Sequence, residues 1–209
     1  MIISRHFYDR NTATVARELL GATLFVKTAG GVLNAVITET EAYCGESDLA
    51  CHASKGRTKR TEVMFGEPGI AYVYMIYGIY YCLNIVTRKA GFAEAVLIRC
   101  VETADGTQLN GPGKTCRYFG IDKSYNACDV TTGDRIWVEK TSAKRESFRA
   151  EKRVGVDYAG EWKDEPLRFI LVKKYADSLQ SESRTKEKAK HEKCAAKRKS
   201  TAIEKKAKR

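Results

Sequence analysis

The spacing of apolar residues along the chain predicts mostly strands, with a few short helices. Residues 11–20 place polar capping side chains before an apolar face of helical spacing, and Gly21 can end such a helix in a left-handed conformation. A second short helix is predicted over residues 111–119. Alternating or continuous apolar runs predict strands over residues 24–26, 32–41, 70–76, 79–86, 95–101, 135–139 and 167–172. Because no βαβ rhythm appears, the pattern predicts a single α+β domain with a curved, mostly antiparallel sheet.

The region between residues 44 and 86 contains a long polar loop and a tight turn. Residues 44–69 are rich in Gly, Ser, Thr, Lys and Arg, and a loop of this length inside a compact domain is usually functional. The strands predicted on either side of the turn are separated by Tyr77 and Gly78, and glycine tolerates the positive φ that a tight turn demands. The sequence therefore predicts a protruding β-hairpin with Tyr77 at its tip.

The strand over residues 32–41 ends in two carboxylates. On a period of two, one side of this strand is predicted to carry Leu33, Ala35, Ile37, Glu39, Glu41 and Tyr43. A carboxylate on a core-facing side must be paired or lose its charge, and enzymes use such a group as a general base. Alternatively the strand simply ends there and both acids turn to solvent. The spacing does not choose between Glu39 and Glu41.

Two further polar residues lie inside apolar strand runs. Asn84 shares a predicted side with Cys82, and Arg99 shares one with Leu97. A buried arginine is rare unless it meets a carboxylate, and a buried asparagine needs hydrogen-bond partners. Glu39 or Glu41 would suit Arg99, in which case the pair orients a carboxylate and a water molecule. A structural ion pair at a sheet edge is the alternative.

Composition divides the 209-residue chain into a domain and a basic tail. Residues 181–209 contain 12 Lys/Arg and 4 Asp/Glu, a net charge of +8 out of the +11 of the whole chain. This segment has almost no large apolar side chains to offset its ordering entropy. We therefore predict a folded domain over residues 1–176 and a disordered basic tail over residues 177–209. Such a tail attracts nucleic acid, or only solubilises the chain.

Cysteine usage and hydropathy narrow the class of protein. Seven cysteines are widely spaced without a Cys-x-x-Cys pair, which argues against a zinc ribbon or an iron–sulfur cluster. Reduced thiols in a cytoplasmic protein are the plain interpretation. No segment approaches the roughly 20 apolar residues that span a membrane, so no membrane association is predicted.

Charged and aromatic residues around the turn indicate nucleic-acid binding. Tyr77 cannot easily be enclosed by a core, and an exposed aromatic residue at a hairpin tip suits insertion into a base stack. The polar loop adds basic side chains for backbone phosphates, namely Lys55, Arg57, Lys59 and Arg60. His52, close in sequence to Tyr43, suggests a stacked aromatic pocket.

Taken together, these residues resemble the alkyladenine (3-methyladenine or N-methylpurine) DNA glycosylase family over roughly residues 3–173. The matching segments are Glu39-Thr40-Glu41-Ala42-Tyr43, Asp48 to His52, Gly56-Arg57-Thr58, Met64-Phe65-Gly66-Glu67-Pro68-Gly69, Tyr72-Val73-Tyr74-Met75-Ile76-Tyr77-Gly78, Asn84-Ile85, Gly111-Pro112-Gly113-Lys114 and Arg153-Val154-Gly155-Val156. Two departures are visible. Thr61 stands where the resemblance leads us to expect Asn, and the charged tail is one that the family does not require.

The resemblance implies a monofunctional enzyme that flips an alkylated or deaminated purine out of duplex DNA and hydrolyses its N-glycosidic bond. It implies that Glu41 would activate the water, which Arg99 and the backbone near Val154 would hold. Tyr43, His52 and Tyr74 would stack around the base. Asn84 would exclude guanine, and Tyr77 would intercalate into the DNA. No metal or other cofactor is implied, and the product would be an abasic site. We expect a monomer acting on double-stranded DNA with damaged purines, in the nucleoid region of a prokaryotic cytoplasm or in a eukaryotic nucleus.

Two other functions compete with this interpretation. A metal-dependent nuclease would gather Glu39, Glu41, Glu46 and Asp48 around magnesium. A noncatalytic binding module would use the same charge and aromatic residues, bind damaged DNA and release no base. The sequence does not rank 3-methyladenine, 7-methylguanine, hypoxanthine and ethenoadenine as substrates.

Overall fold

The computed structural model describes residues 1–140 and 147–172 of the chain, so the predicted basic tail lies outside the described residues. Within them the helices are α1 (Arg5–Tyr8), α2 (Thr12–Glu18) and α3 (Pro112–Phe119). The strands are β1 (Thr23–Thr28), β2 (Gly31–Tyr43), β3 (Ala71–Ile76), β4 (Tyr80–Thr87), β5 (Glu94–Glu102), β6 (Gln108–Asn110), β7 (Ile136–Glu139), β8 (Phe148–Glu151) and β9 (Arg168–Leu171). Short 3₁₀ helices occupy His52–Lys55, Glu62–Phe65, Lys123–Tyr125 and Gly160–Lys163.

All nine strands belong to one curled sheet that resembles a half-barrel. The main path runs β3-β4-β5-β2-β1-β7, while β6 pairs with β5 and β9 joins β2 to β8. Every pairing is antiparallel. The predicted α+β class with a curved antiparallel sheet is thus confirmed. The predictions missed α1, β6 and β8, each only three or four residues long, because such segments are too short to show a period.

The main core lies between α2, α3 and one face of the sheet. Asn11 caps α2 by accepting a hydrogen bond from the Thr14 backbone N–H at 3.1 Å. The apolar face of α2 then buries Val15 and Leu19 completely against the sheet, where Leu24 and Ile98 are also fully buried. The polar cap and the apolar face that predicted this helix therefore also fix its orientation on the sheet.

A register break in β2 changes which side chains face this core. The pairing of β2 with β5 is irregular between Ile37 and Thr40, around Glu39. Before the break Ile37 belongs to the main core, and after it Ala42 does, while the Thr40 hydroxyl donates to the α2 carbonyl of Ala16 at 2.8 Å. Core-facing positions thus change from odd to even numbers.

The prediction that both carboxylates continue the apolar side of β2 is therefore wrong. Glu41 and Tyr43 point away from the face that carries Ile37 and line a cavity on the other side of the strand. Glu41 is nevertheless completely buried, because the sheet curls and other segments cover this second face. The carboxylate is shielded from water, but by the residues around the cavity and not by the main core.

A close contact sets the position of α3 on β4. Pro112 occupies the first turn of α3, where its missing N–H costs nothing. At Gly113 an added Cβ would lie 2.9 Å from Cδ1 of Tyr80. The helix can therefore approach β4 only because residue 113 is glycine, and this approach brings Pro112 to the wall of the cavity.

The turn between β3 and β4 leaves an aromatic side chain in solvent. Tyr77 and Gly78 have φ values of 52° and 71°, and the Ile79 N–H donates to the Ile76 carbonyl at 3.2 Å. Positive φ at both central positions is the signature of a type I′ turn. Tyr77 is 87% exposed, and a bulky residue in this region of φ is strained.

The six cysteines among the described residues are free thiols, in accord with the predicted reduced state. No helix in residues 1–140 or 147–172 has the length and apolar character needed to span a membrane.

Candidate active site

A cavity of about 320 Å³ opens between the end of β2, the β3–β4 pair, β5 and the segment after β8. It is lined by the eight residues to which the family resemblance assigned roles in catalysis, base binding and intercalation: Glu41, Tyr43, His52, Tyr74, Tyr77, Asn84, Arg99 and Val154. These residues come from five separate segments of the chain. The structure therefore brings the whole predicted set to one place.

Glu41 is the buried acid of this cavity. Its Oε2 accepts a hydrogen bond from the Tyr43 hydroxyl at 2.8 Å, and its Oε1 accepts one from the Val154 backbone N–H at 3.0 Å. Nε of Arg99 lies 3.7 Å from Oε1. Burial raises the pKa of Glu41 above its ordinary value, although Val154, Arg99 and Tyr43 oppose this change. Because each carboxylate oxygen has two acceptor directions, Glu41 can still bind a water molecule and take its proton.

Glu39, the second carboxylate, is held in a different way. Its Oε1 accepts hydrogen bonds at 2.9 Å from both Nε of Arg99 and Nη1 of Arg168, and its Oε2 accepts one from the Cys100 thiol at 3.0 Å. Burial would raise the pKa of Glu39, but the bonds from Cys100 and Arg168 and the charge of Arg99 bring it below its ordinary value. The geometry therefore separates the two acids that spacing alone could not.

Three aromatic rings form one wall of the cavity. The rings of His52 and Tyr74 are 4.5 Å apart at 75°, and those of Tyr72 and Tyr74 are 5.3 Å apart at 36°. Nδ1 of His52 lies 3.0 Å from the Tyr72 hydroxyl. Such rings offer apolar faces and polar edges to a flat ligand. The sequence assigned no role to Tyr72, because nothing in its spacing indicated that its hydroxyl would meet His52.

Asn84 lies beside this aromatic wall, 3% exposed. Its Nδ2 donates to the Tyr72 carbonyl at 3.2 Å, so the side chain is held in one orientation. A fixed polar group in a tight pocket can reject a ligand that carries one extra substituent.

His52 should remain uncharged at neutral pH. Burial lowers its pKa to about 4, with the positive charges of Arg60 and Lys55 acting in the same direction. We therefore expect the ring signals of His52 in an NMR titration to stay nearly constant between about pH 8 and pH 5, whereas an ordinary histidine titrates there. A midpoint near the ordinary value would show that the ring is not enclosed as described.

Beneath the cavity lies a buried ion pair that sequence reasoning missed. Arg153 and Asp48 have no exposed side-chain surface and form two hydrogen bonds, at 2.5 and 2.9 Å. Arg153 also donates to the Ala42 carbonyl at 2.9 Å, and its guanidinium carbon lies 4.9 Å from the centre of the Tyr43 ring. This pair fixes the segment that carries the Val154 N–H. Both residues lie in segments that matched the glycosylase family, but the sequence gave no sign that they pair.

The residue that departs from the expected family pattern has a structural role in the polar loop. The Thr61 hydroxyl accepts a hydrogen bond from the Thr58 backbone N–H at 2.8 Å and donates one to the Gly56 carbonyl at 3.0 Å. Thr61 itself is 3% exposed. The threonine side chain therefore supplies internal hydrogen bonds of the loop, and the partners of its hydroxyl, Gly56 and Thr58, do not line the cavity.

The arrangement of acids does not fit the alternative of a magnesium-dependent nuclease. Asp48 is bound by Arg153, and Glu39 by Arg99 and Arg168. Across residues 1–140 and 147–172 no three His, Cys, Asp or Glu side chains converge in a way that could hold a metal ion. Asp48 and Glu39 are instead neutralised by arginines, and Glu41 lines the cavity.

A buried acid in a cavity walled by aromatic rings is typical of an enzyme that acts on a flat ring compound. Comparison with known proteins gives this class a family. The model of the methylpurine-DNA glycosylase family matches residues 6–175.

Curated relatives agree with this match over most of their own length. A protein of Methanocella arvoryzae is 46% identical over 183 residues, covering 80% of this chain and 91% of the relative. One of Myxococcus xanthus is 47% identical over 167 residues, covering 78% and 86%. One of Desulfitobacterium hafniense is 44% identical over 192 residues, covering 81% and 94%. Each carries the name "Putative 3-methyladenine DNA glycosylase".

The chain belongs to the methylpurine-DNA glycosylase family. It is a DNA repair enzyme, a hydrolytic N-glycosylase with DNA as its substrate.

Proposed function

We propose that this enzyme removes alkylated or deaminated purines from duplex DNA by flipping the damaged nucleotide into the cavity. A water activated by Glu41 then attacks the sugar C1′. The C1′–N bond breaks, its electron pair leaves with the base, and the water proton passes to Glu41. The products are a free base and an abasic site. Flipping a damaged base costs less unpairing and unstacking energy than flipping a normal base, since damaged pairs are weaker.

The observation that carries the proposal is the environment of Glu41. The carboxylate is fully buried, oriented by Tyr43 and the Val154 N–H, and 3.7 Å from an arginine that can help hold a water molecule. A base must be both desolvated and positioned to be effective. Within the described residues no lysine lines the cavity, which supports water rather than an amine as the nucleophile.

The aromatic wall supports a purine as the ligand. His52, Tyr72 and Tyr74 present ring faces and edges to a flat base, and a cationic alkylated base also gains from contact with electron-rich rings. A cationic base is already a good leaving group, so the protein need not protonate it. Asn84, held rigidly beside the rings, would exclude the 2-amino group of normal guanine.

A base-release assay tests this function. Duplexes carrying 3-methyladenine, 7-methylguanine, hypoxanthine or ethenoadenine are incubated with the full chain in the presence of a chelator. We expect release of free base and abasic sites without strand cleavage for at least one of these lesions. Binding to lesion DNA without release would favour the noncatalytic module, and activity lost in chelator would favour a metal enzyme.

Tyr77 is proposed to fill the space that the flipped base vacates. Its ring is 87% exposed and its φ is 52°, so replacing it should leave no core cavity. We expect Tyr77→Ala to lower excision from fully paired duplexes and to leave the melting temperature nearly unchanged. The defect should shrink when the lesion is mismatched and already easy to extrude.

Tyr77→Gly is the matched control for stability. Glycine adopts positive φ freely, so this variant should melt higher than the wild type while showing the same defect in excision. A large loss of stability in Tyr77→Ala, about 3–5 kcal/mol as for a buried aromatic residue, would contradict the assignment.

A further inference from the structure

The second acid of β2 has no part in the chemistry proposed above, yet it has more charged partners than Glu41. The Glu39 side chain is 14% exposed and binds three donors, from Arg99, Arg168 and Cys100. A carboxylate with both oxygens bonded in this way remains charged and stationary. Glu39 is thus a fixed negative charge two residues from Glu41.

The position of Arg99 depends on Glu39. Nε of Arg99 is 2.9 Å from Oε1 of Glu39 but 3.7 Å from Oε1 of Glu41. The stronger contact is therefore with Glu39, and among the described residues the terminal nitrogens of Arg99 make no hydrogen bond. Arg99 lines the cavity, so these nitrogens remain available to a water molecule or to the substrate.

Arg168 connects the same carboxylate to the other group that orients Glu41. It donates from Nη1 to Glu39, from Nη2 to Glu151 at 2.5 Å and from Nε to the Lys152 carbonyl at 2.7 Å. Two residues after Lys152 comes Val154, whose N–H binds Glu41. Glu39 therefore anchors Arg99 from β5 and, through Arg168, the segment that supplies the Val154 N–H.

We propose that Glu39 is a positioning residue for base excision, which holds Arg99 away from a direct ion pair with Glu41 and thereby keeps Glu41 available as the base. This inference rests on the proposed function of Glu41. Glu39, Glu41, Arg99 and Arg168 together carry two negative and two positive charges. Without the charge of Glu39, two guanidinium groups face the single carboxylate of Glu41. Arg99 would then move onto Glu41 and weaken it as a base.

The charge environment of Glu41 determines how the pH dependence should respond. The titratable and charged groups that act on it are Glu39, Tyr43, Tyr74, Cys82, Arg99 and Arg168. Of these only Glu39 is a second carboxylate. Removing its charge removes repulsion between two anions, so the Glu41 pKa in the variant should fall.

The test is the pH profile of single-turnover excision by Glu39→Gln in the full chain. We expect a rate lower by about 10- to 100-fold at neutral pH, as for a misplaced catalytic group, with lesion-DNA affinity unchanged. The acid limb of the profile, where the rate falls as the pH decreases, should move to lower pH. A purely structural role of Glu39 would reduce the amount of folded enzyme without moving this limb.

Two variants make the comparison specific. Asp164→Asn neutralises an exposed carboxylate that pairs with Lys152 rather than with Arg99 or Arg168, and it should keep the wild-type rate and acid limb. Glu39→Asp keeps the charge with a shorter reach and should recover part of the lost rate. If Glu39→Gln does not fold, Glu39→Asp carries the test, and a wild-type rate for it would overturn the proposal.

Failure of this inference can be distinguished from failure of the proposed function. No base release by the wild type, or full activity of Glu41→Gln, would contradict the proposed function. An inactive Glu41→Gln together with an unmoved acid limb in Glu39→Gln would overturn only the role of Glu39. A double variant adds a further check. In an Arg99→Gln background, Glu39→Gln should cost less than it does in the wild type, because the part of its effect that passes through Arg99 is already lost and only the part through Arg168 remains.

Discussion

Replacing Glu41 with glutamine is expected to reduce base excision by about 10²–10⁴-fold, the usual cost of losing a positioned general base. Glutamine has nearly the same shape: its oxygen can accept the hydrogen bond from the Val154 N–H, while its NH2 group takes the place of Oε2 and can donate to the Tyr43 hydroxyl oxygen. It cannot take a proton from water. The variant should therefore bind lesion DNA almost as the wild type does, while single-turnover release of the base nearly stops.

The pH dependence of the wild type provides an independent check. Glu41 acts only when it is deprotonated, so the rate should fall as pH decreases through its pKa. Because burial raises that pKa, the fall should begin at a higher pH than it would for an exposed glutamate. His52 cannot be the source of this limb if its pKa is about 4. A rate that stays constant into the acidic range, or near-normal turnover by Glu41→Gln, would contradict the role of Glu41.

Most strands could be predicted from sequence because they bury one face, so that buried and less buried side chains alternate along them. Apart from the short strands β6 and β8, which were missed, the prediction failed in β2, where the register break around Glu39 reverses the alternation. A break of this kind depends on the partner strand and on the helix that packs nearby, which no local pattern contains. Glu41 is therefore buried as the alternation suggested, but it lies on the opposite face of the strand from the one that the alternation indicated.

The positions of the candidate site residues were predictable where they depend on near neighbours in sequence. Tyr43 and Glu41 are two residues apart, and Tyr77 is placed by a local turn that glycine permits. The roles that depend on pairs far apart in the chain were not predictable. Asp48 and Arg153 are separated by 105 positions, and a charged residue that lies in a loop in the sequence gives no sign that it will be fully buried.

The same limit applies to the choice between the two acids of β2. Their spacing places both on one side of the strand, and either could pair with Arg99. Only the three-dimensional arrangement shows that Arg168 and Cys100 converge on Glu39 and leave Glu41 to the cavity. The resemblance to the glycosylase family had indicated Glu41 on other grounds, and the geometry now supplies a physical reason for it.

Breaking the buried ion pair beneath the cavity should destabilise the domain more than any change at its surface. In Asp48→Asn the charge of Arg153 would be left uncompensated in a site with no solvent access. Removing one partner of a buried pair costs about 3–5 kcal/mol. Folded domains are stable by only about 5–15 kcal/mol, so denaturant unfolding should show a large shift in midpoint.

The control for this variant lies on the same segment of the chain. Lys152 and Asp164 form an ion pair with side chains 68% and 55% exposed. Asp164→Asn should therefore change the unfolding free energy by less than about 1 kcal/mol. An Asp48→Asn variant that loses no more stability than Asp164→Asn would show that the pair between Asp48 and Arg153 is not enclosed as described.

Stability and catalysis should separate when both partners of the buried pair are replaced. Combining Asp48→Asn with Arg153→Met removes the uncompensated charge and should recover much of the lost unfolding free energy. Excision should not recover to the same extent, because Arg153 also binds the Ala42 carbonyl, lies against the Tyr43 ring and precedes Val154. If excision and stability recover together, the ion pair only holds the fold. If stability alone recovers, the pair also positions the two groups that orient Glu41.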